Sequence, residues 1–297
     1  MKIKMIAVLT AVVVTMLWSS SYFLNVYAFK EGVGPLTLAG LRYTIAAFVL
    51  FLLSISHKGE TKHREKITWK YIFLLGISGY LVAQGFQYWG QFFITPTQTS
   101  LLLNIGNTTI VAVLASILIN EKIKKLTIVG MIGVIVGAGL YYFPWEFNLQ
   151  DTIGISLVVF SSIGYGIHII LIRFILKKHS IKPTELVMKP MVIGAIGMLC
   201  MGIFIEALPH FSWNLVFIVL WLGIVNGSIA FTLWTWSQKY LEAFESSIIN
   251  NLMLVEIAIF DMLLLNRNFT LLQFTGSVIV TSTILIVQLI PHLKKEL

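Results

Sequence analysis

The sequence contains few charged residues. Only 11% of its 297 residues are Asp, Glu, Lys or Arg and 57% are hydrophobic, whereas a typical soluble domain has about 25% charged residues. No charged residue occurs between Lys70 and Glu121, a stretch long enough for two membrane spans of about 20 residues each. This composition therefore predicts that the lipid bilayer is the solvent of the protein.

Other features that the sequence lacks exclude further classes of protein. The single cysteine, Cys200, lies in an apolar stretch, so a disulfide framework and a CxxC metal motif are excluded. No HExxH, paired-aspartate or Ser-His-Asp spacing occurs, and we expect no enzyme, no metal and no cofactor. The apolar run from Met5 to Phe29 is longer than a signal peptide and lacks an A-x-A cleavage site, which indicates a first membrane span.

Apolar runs separated by polar breaks predict an all-α integral membrane protein with ten transmembrane helices. The predicted spans are 5–28, 35–56, 69–92, 96–119, 126–143, 153–175, 184–207, 213–238, 245–265 and 270–290. The breaks contain turn-forming or charged residues, as in 32–35 and 144–151. Several breaks are very short, which favours antiparallel neighbouring helices.

The distribution of basic residues predicts the orientation in the membrane. With Met1 on the inside, the inner loops contain 17 Lys and Arg residues and the outer loops only Lys30 and Arg267. The positive-inside rule then places both termini on the cytoplasmic side of the membrane. We expect this membrane to be a bacterial plasma (inner) membrane. Because these charges lie in short loops, the net charge of +8 predicts no nucleic-acid partner. We expect a small-molecule substrate and membrane lipid as partners, and a monomer or a homodimer.

The sequence also resembles itself at a shift of 147 residues. The coinciding pairs are Gly76 and Gly223, Trp89 and Trp236, Gln91 and Gln238, Ser100 and Ser247, Asn104 and Asn251, Trp18 and Tyr165, Thr37 and Thr184, and Arg42 and Lys189. This predicts two five-helix repeats, 1–147 and 148–297. With an odd number of spans per repeat, the second copy is inverted, an arrangement found in secondary transporters.

Short motifs follow one another in a characteristic order. They are Met16-Leu17-Trp18-Ser19-Ser20-Ser21, Pro35, Leu41-Arg42, Ile119-Asn120-Glu121, and then Gly130, Gly133, Gly137 and Gly139. In these motifs, and over essentially its whole length, the chain resembles the EamA-type drug/metabolite transporters. The resemblance implies a ten-helix basket whose central pathway is lined mainly by the first, third, fourth, sixth, eighth and ninth helices. The second half resembles the family less: 266–268 replaces a usual Gly-Glu, and Thr108 and Val255 replace common prolines.

Polar side chains recur at helical spacing within three predicted spans. They are Tyr80, Gln84, Gln87, Tyr88 and Gln91 in the third helix, Thr97, Ser100, Asn104, Asn107 and Thr108 in the fourth, and Trp18, Tyr22 and Asn25 in the first. Because polar side chains are costly against lipid, we expect these stripes to face one another and to bind a solute. The alternative is that they join neighbouring helices by hydrogen bonds.

Aromatic residues and one asparagine extend this candidate pathway into the second repeat. Trp18 and Tyr165 occupy equivalent positions near the middle of their helices, and Trp234 lies within the eighth. We expect them to form a cavity wall that can stack on rings or hold a cationic amine. The alternative is an interfacial aromatic belt. Asn251 is a further candidate, because it repeats Asn104.

Two basic residues, Arg42 and Lys189, lie within spans at matched positions. Charges at such depth are candidates for function, here for holding a substrate carboxylate. The alternative is structural anchoring: Glu185 lies four residues before Lys189 and can pair with it, and Arg42 can extend its charge outward to the interface.

Three further ionisable residues lie within spans. His168 is on the same face as Tyr165 and can exchange a proton near neutral pH, or can simply pack as a neutral side chain. In the ninth helix, Glu256 and Asp261 lie on different faces, and carboxylates in such positions often carry protons or bind cations. We expect Glu256 to point toward a neighbouring helix and pair with a basic group.

The sequence thus predicts a secondary transporter that works by alternating access. Its expected cargo is a small polar or amphipathic metabolite, such as an amino acid or an amine, and its expected direction is export. A lipid or lipid-headgroup flippase and a metabolite importer are the alternatives. Because no nucleotide-binding motif is present, we expect proton coupling, through Asp261 first and His168 second.

Overall fold

The computed structural model describes residues 2–56, 67–118, 125–178, 183–207, 209–210, 212–237, 240–241 and 243–296, with some helix side chains left out. Within these residues there are ten long helices. Eight are regular: α1 (Lys2–Lys30), α2 (Pro35–Ser56), α4 (Pro96–Leu118), α5 (Lys125–Tyr141), α6 (Leu149–Lys178), α7 (Pro183–Ile205), α9 (Ala243–Leu264) and α10 (Leu271–Glu296). The other two, α3 and α8, each consist of three successive segments: Trp69–Gly76, Ile77–Gly85 and Phe86–Phe93, then Trp213–Leu220, Trp221–Ile229 and Ala230–Ser237.

These helices confirm the predicted all-α integral membrane fold, ten transmembrane helices in two inverted five-helix repeats. By length and composition α1, α2, α6, α7 and α8 are apolar enough to cross a membrane. Large apolar side chains such as Phe48, Phe204 and Phe217 are exposed along the helices. Apolar exposure on this scale is what lipid contact requires and what a water-soluble surface avoids.

The middle segments of α3 and α8 are π-helical, which the sequence analysis did not predict. A π-helical turn is wider than an α-helical turn and is frequently found at functional sites. Small residues allow close approach at both segments. The Ser228 Oγ lies 3.2 Å from the carbonyl oxygen of Gly223 and 3.0 Å from that of Ala46, and its single hydroxyl proton is shared between the two. A side chain that bonds within the helix backbone in this way favours a local widening.

Contacts between backbone positions divide the chain into two compact units. The first unit contains Met1–Phe23, Ile94–Thr152 and Ala230–Leu297, and the second contains Leu24–Phe93 and Ile153–Ile229. Each unit takes helices from both halves of the sequence. The repeat boundaries 1–147 and 148–297 stay a prediction.

In the first unit, the glycine-rich motif of α5 packs against α10. A Cβ atom added at Gly130 would lie 2.6 Å from Val287, and one at Gly133 would lie 2.7 Å from Thr283. Glycine is therefore what lets the two helices approach closely, as small residues do in membrane bundles. Gly137 makes the same kind of approach to Val280.

In the second unit, α7 packs against both α2 and α3. A Cβ atom at Gly40 of α2 would lie 2.6 Å from Leu199, and one at Gly194 of α7 would lie 2.1 Å from the Cβ of Tyr80. This close packing positions the polar stripe of α3.

Candidate functional site

The polar stripe of α3 lies inside the second unit. Tyr80, Gln87, Tyr88 and Gln91 are buried, and Gln84 is half-buried. Four members of the stripe thus turn away from lipid, as expected from their spacing. Their partners come from α1, α2, α6 and α7.

A hydrogen bond joins the polar stripe of α1 to the polar stripe of α3. The Asn25 amide Nδ2 donates to Gln91 Oε1 at 2.9 Å, and the two side chains are 1% and 2% exposed. The carbonyl Oδ1 of Asn25 is buried and has no hydrogen-bond partner among the described residues. An unpaired buried polar atom costs about 1–3 kcal/mol, so an additional partner would be stabilising here.

Two further hydrogen bonds connect the α3 stripe to a phenol of α6 and to a guanidinium of α2. Tyr165 of α6 donates its hydroxyl to Gln87 Oε1 at 2.7 Å. Arg42 of α2 donates through Nη1 to the Tyr88 hydroxyl, and its guanidinium lies 5.3 Å from the ring centre of Tyr43. Arg42 is 5% exposed, so its charge is buried and does not extend outward, which was the structural interpretation given for it. Its Nε is buried without a described partner.

The other two candidates in this unit have less informative surroundings. His168 packs directly on Gly79 and meets the Tyr80 ring edge-on at 5.9 Å, and its buried Nδ1 has no hydrogen-bond partner among the described residues. Proton exchange and neutral packing both stay predictions for this residue. Lys189 is half-buried and does interact with a neighbour, but the Glu185 side chain lies outside the described residues, so their pairing stays a prediction.

Also in the second unit, Glu206 caps the start of α2, a role that the sequence analysis missed. Its two carboxylate oxygens accept the backbone N–H groups of Leu36 and Thr37 at 2.7 and 2.9 Å, and the Thr37 hydroxyl at 2.7 Å. A carboxylate at a helix N-terminus pairs with unsatisfied N–H groups and with the positive end of the helix dipole. Glu206 therefore ties the end of α7 to the start of α2.

In the first unit, Asp261 makes a similar cap. Its Oδ2 accepts the hydroxyl of Thr97 at 2.6 Å and the backbone N–H of Thr97 at 3.4 Å, at the start of α4. Its Oδ1 lies 3.3 Å from Arg267 Nε. The basic partner that we expected for Glu256 is thus found at Asp261, because Asp261 lies in the last turn of α9, close to the connection that carries Arg267.

Glu256 has no basic partner within the described residues and is held by two hydroxyl groups instead. Both belong to α1: Ser19 donates to Oε2 at 2.7 Å, and the Thr15 hydroxyl lies 2.9 Å from Oε1 and 2.8 Å from the Val12 carbonyl oxygen, so these two oxygens share its proton. The expectation that Glu256 points toward a neighbouring helix is confirmed. The expectation that it pairs with a basic group is wrong: α1 presents only neutral groups to it.

The aromatic candidates of the first unit form a cluster. Trp18 lies 5.2 Å from Trp234 and 5.4 Å from Phe231, measured between ring centres. All three are half-buried. Tyr22 is buried in a separate apolar cluster with Ile257. Trp18 and Trp234 thus form a shared aromatic surface, whereas Tyr22 is part of the packing.

The remaining candidates of this unit lie on α4 and α9. Asn104 is half-buried and donates Nδ2 to the carbonyl of Ser100 at 2.9 Å, within its own helix. Asn251 is half-buried, and its Nδ2 has no hydrogen-bond partner among the described residues. The side chain of Thr108 lies outside the described residues. Because α3 and α4 belong to different units, the expectation that their stripes face each other stays a prediction.

Several partners in these networks were missed by sequence reasoning. Thr15 and Ser19 lie one turn apart on α1, but hydroxyl residues of this kind are common in membrane helices and gave no separate signal. The Pro-Thr pair that begins α4 and the Pro-Leu-Thr that begins α2 indicate helix starts, since proline is favoured at the first helical position. Their capping carboxylates lie more than 160 residues away, so no local pattern could identify them.

Known proteins resemble this chain in sequence and in fold. The sequence pattern of the EamA-like transporter family matches residues 5–143 and 152–289. A relative in Bacillus subtilis (strain 168), the uncharacterized transporter YyaM, is 21% identical over 73% of this chain and 73% of its own. A crystal structure of another protein has a TM-score of 0.69 at 16% identity, over 96% of both chains, a likeness of fold alone.

Proposed function

The chain belongs to the EamA-like transporter family, of the drug/metabolite transporter superfamily, and from this premise we propose that it moves a small polar or amphipathic metabolite by alternating access. The proposed cargo is an amino acid, an amine or a similar solute. The proposed direction is export across a bacterial plasma membrane, with both termini in the cytoplasm. The 17 basic residues of the inner loops support this orientation.

The observation that carries the proposal is the neutral polar network of the second unit. Amides of α1 and α3 and a phenol of α6 form two hydrogen-bonded pairs, Asn25 with Gln91 and Tyr165 with Gln87; the three amides are buried and Tyr165 is half-buried. Such groups donate and accept hydrogen bonds without carrying a charge, so they can bind a polar solute and release it again. Buried atoms that lack a partner among the described residues, such as Asn25 Oδ1, are those to which a solute could hydrogen-bond.

We assign the binding role to the half-buried members of the stripes before the buried ones. Gln84 and Asn104 keep part of their surface accessible, and Asn104 uses only its amide nitrogen within its own helix. Both can therefore offer an acceptor oxygen to a solute. Asn25 and Gln91 are already joined to each other, so they support the site by positioning α1 against α3.

A ligand screen followed by a transport assay tests the proposal. Purified protein is screened by thermal shift against amino acids, amines, nucleobases and sugars, and the stabilising solute is then followed by counterflow in proteoliposomes. We expect Gln84→Leu combined with Asn104→Leu to reduce counterflow at least about tenfold, the effect of losing roughly 1.4 kcal/mol of binding. Net accumulation of the solute in vesicles of known orientation, under an imposed pH gradient, then distinguishes export from import.

The matched control is Thr44→Leu. Thr44 is exposed on α2 and bonds only to the carbonyl of Gly40, at 2.8 Å, so its replacement should leave counterflow unchanged. If the double variant transports as well as the control, the polar stripes serve packing and the proposed pathway is wrong.

A further inference from the structure

Glu256 is a carboxylate in the first unit. Its oxygens contact hydroxyl groups, but no positively charged side chain among the described residues balances its charge. Its Oε2 accepts the hydroxyl of Ser19 at 2.7 Å, and its Oε1 lies 2.9 Å from the Thr15 hydroxyl, whose single proton it shares with the Val12 carbonyl oxygen at 2.8 Å. Both donor residues are fully buried, whereas Glu256 is half-buried. Two neutral donors orient the carboxylate while one side of it stays accessible.

No cation faces this carboxylate from the described residues of the unit. The helix α4 and the Ala230–Ser237 segment contain no charged residue, and α10 contains none up to Val287. On α1, Lys4 precedes Thr15 by 11 residues, about 16 Å along the axis. On α9, Asp261 is already bonded to Thr97 and Arg267; the Glu245 side chain lies outside the described residues.

An uncompensated charge within a membrane span is expensive and marks a functional position. A carboxylate in this situation is stabilised by any cation that can reach it. The neighbouring residues indicate which cation fits. Thr15, Trp18 and Ser19 follow one another at i, i+3 and i+4 on α1 and so share one face. Trp18 joins that face to the aromatic cluster with Phe231 and Trp234.

Aromatic faces attract ammonium groups and also bind apolar parts of a ligand. We propose that Glu256 is a cation-exchange site, at which the carboxylate holds either a proton or the ammonium group of an aromatic or apolar primary amine. When the amine binds, the proton leaves the carboxyl group for solution, and the ammonium group takes its place without any change of covalent bonds in the amine. This inference rests on the proposed function and narrows its cargo to amines.

The site also explains how transport and proton movement can be linked. Because one carboxylate cannot hold both cations at once, exchange of the amine for a proton at this site links amine transport in one direction to proton movement in the other. Thr15 and Ser19 are positioning residues in this scheme, since they orient the two oxygens. The surroundings of Asp261 differ: its carboxylate caps α4 and already faces a cation, Arg267.

Proton release on amine binding tests the inference in the purified full-length protein. Tyramine is added in weakly buffered solution and the pH change is recorded, with 4-ethylphenol as the uncharged analogue. We expect the wild type to release about one proton per bound tyramine and none with 4-ethylphenol, as ion exchange at one carboxyl group requires. Glu256→Gln should abolish release and weaken tyramine binding about tenfold or more.

Matched variants keep the outcome interpretable. Asp261→Asn changes the other carboxylate of α9 and should keep proton release, whereas Thr15→Val should weaken tyramine binding while release persists. Glu256→Asp retains a carboxylate and should still release a proton, which guards against misfolding of the Gln variant. Release that persists in Glu256→Gln, or is lost only in Asp261→Asn, overturns the inference, as does a wild type that releases none.

These outcomes are separate from those of the transport assay. Proton release without counterflow of any solute would contradict the proposed function and leave the cation site standing. Counterflow of a neutral solute that is unchanged in Glu256→Gln would contradict the cation site and leave the proposed function standing.

Discussion

At the scale of single residues, burial separates side chains that the sequence grouped together. The stripe of α3 reads as one polar face, yet its members have different environments: Gln91 is 2% exposed and bonded to Asn25, whereas Gln84 is half-buried. A buried amide that lacks its partner destabilises the folded protein, whereas an accessible amide can hydrogen-bond to water or to a solute instead. The same sequence pattern therefore contains both structural and binding residues.

The bond between Asn25 and Gln91 gives a prediction at this scale. Asn25→Leu and Gln91→Leu should each lower the free energy of unfolding by about 1 kcal/mol, the range measured for hydrogen bonds between membrane helices. The double variant should lose less than the sum, because neither partner is then left unpaired. Unfolding in mixed detergent and denaturing surfactant measures all three, with Thr44→Leu as the lipid-facing control. Strictly additive effects would show that the bond contributes nothing.

At the scale of helices, two devices position the candidate residues: close approach at glycine and carboxylate caps. The α7 helix can approach the π-helical part of α3 because Gly194 has no side chain. The caps at Glu206 and Asp261 each fix the first turn of another helix through a threonine hydroxyl and backbone N–H groups. Both devices act between helices distant in sequence, so they determine which faces meet.

The glycine contact gives the second prediction. In Gly194→Ala the new Cβ would lie 2.1 Å from Tyr80 Cβ and 3.0 Å from the Gly76 carbonyl oxygen, so the helices must separate. We expect a loss of about 1–3 kcal/mol in the free energy of unfolding, as for other overpacked interiors. Gly197→Ala is the matched control, since its Cβ would lie 3.3 Å from the flexible end of Leu81. Equal melting temperatures for the two variants would contradict this account.

At the scale of the whole molecule, charge and hydrophobicity determine how the chain crosses the membrane. The helices confirm ten spans, and exposed apolar side chains cover their outer faces. The family match to residues 5–143 and 152–289 follows the two halves of the sequence, although each compact unit combines helices from both. Sequence repeat and packing unit are thus different divisions of this chain.

Orientation is the third prediction. Glu146 is exposed between α5 and α6, in a segment that the charge distribution places outside. In a Cys200→Ala background, Glu146→Cys should react with a membrane-impermeant maleimide in intact spheroplasts, and Lys58→Cys only after permeabilisation. We use Glu146 because neighbouring Asn148 caps α6 by accepting the Asp151 N–H at 2.8 Å. The opposite labelling pattern would reverse the proposed topology.

The sequence by itself determined the properties that depend on neighbouring residues along one helix. Hydrophobic length predicted ten spans, and helical spacing predicted that the α3 stripe, with Tyr80, Gln87, Tyr88 and Gln91, turns inward, as it does. Helical spacing did not predict the π-helical segments, because they depend on how small residues pack against other helices.

Only the tertiary structure decided which groups are partners. The sequence ranked Asp261 above Glu256 as a coupling residue, but the fold places Asp261 on a helix start beside Arg267 and leaves Glu256 with two hydroxyls. The physical reason is range: helical periodicity is set within a few residues, whereas Ser19 and Glu256 are 237 residues apart and meet only when the helices pack.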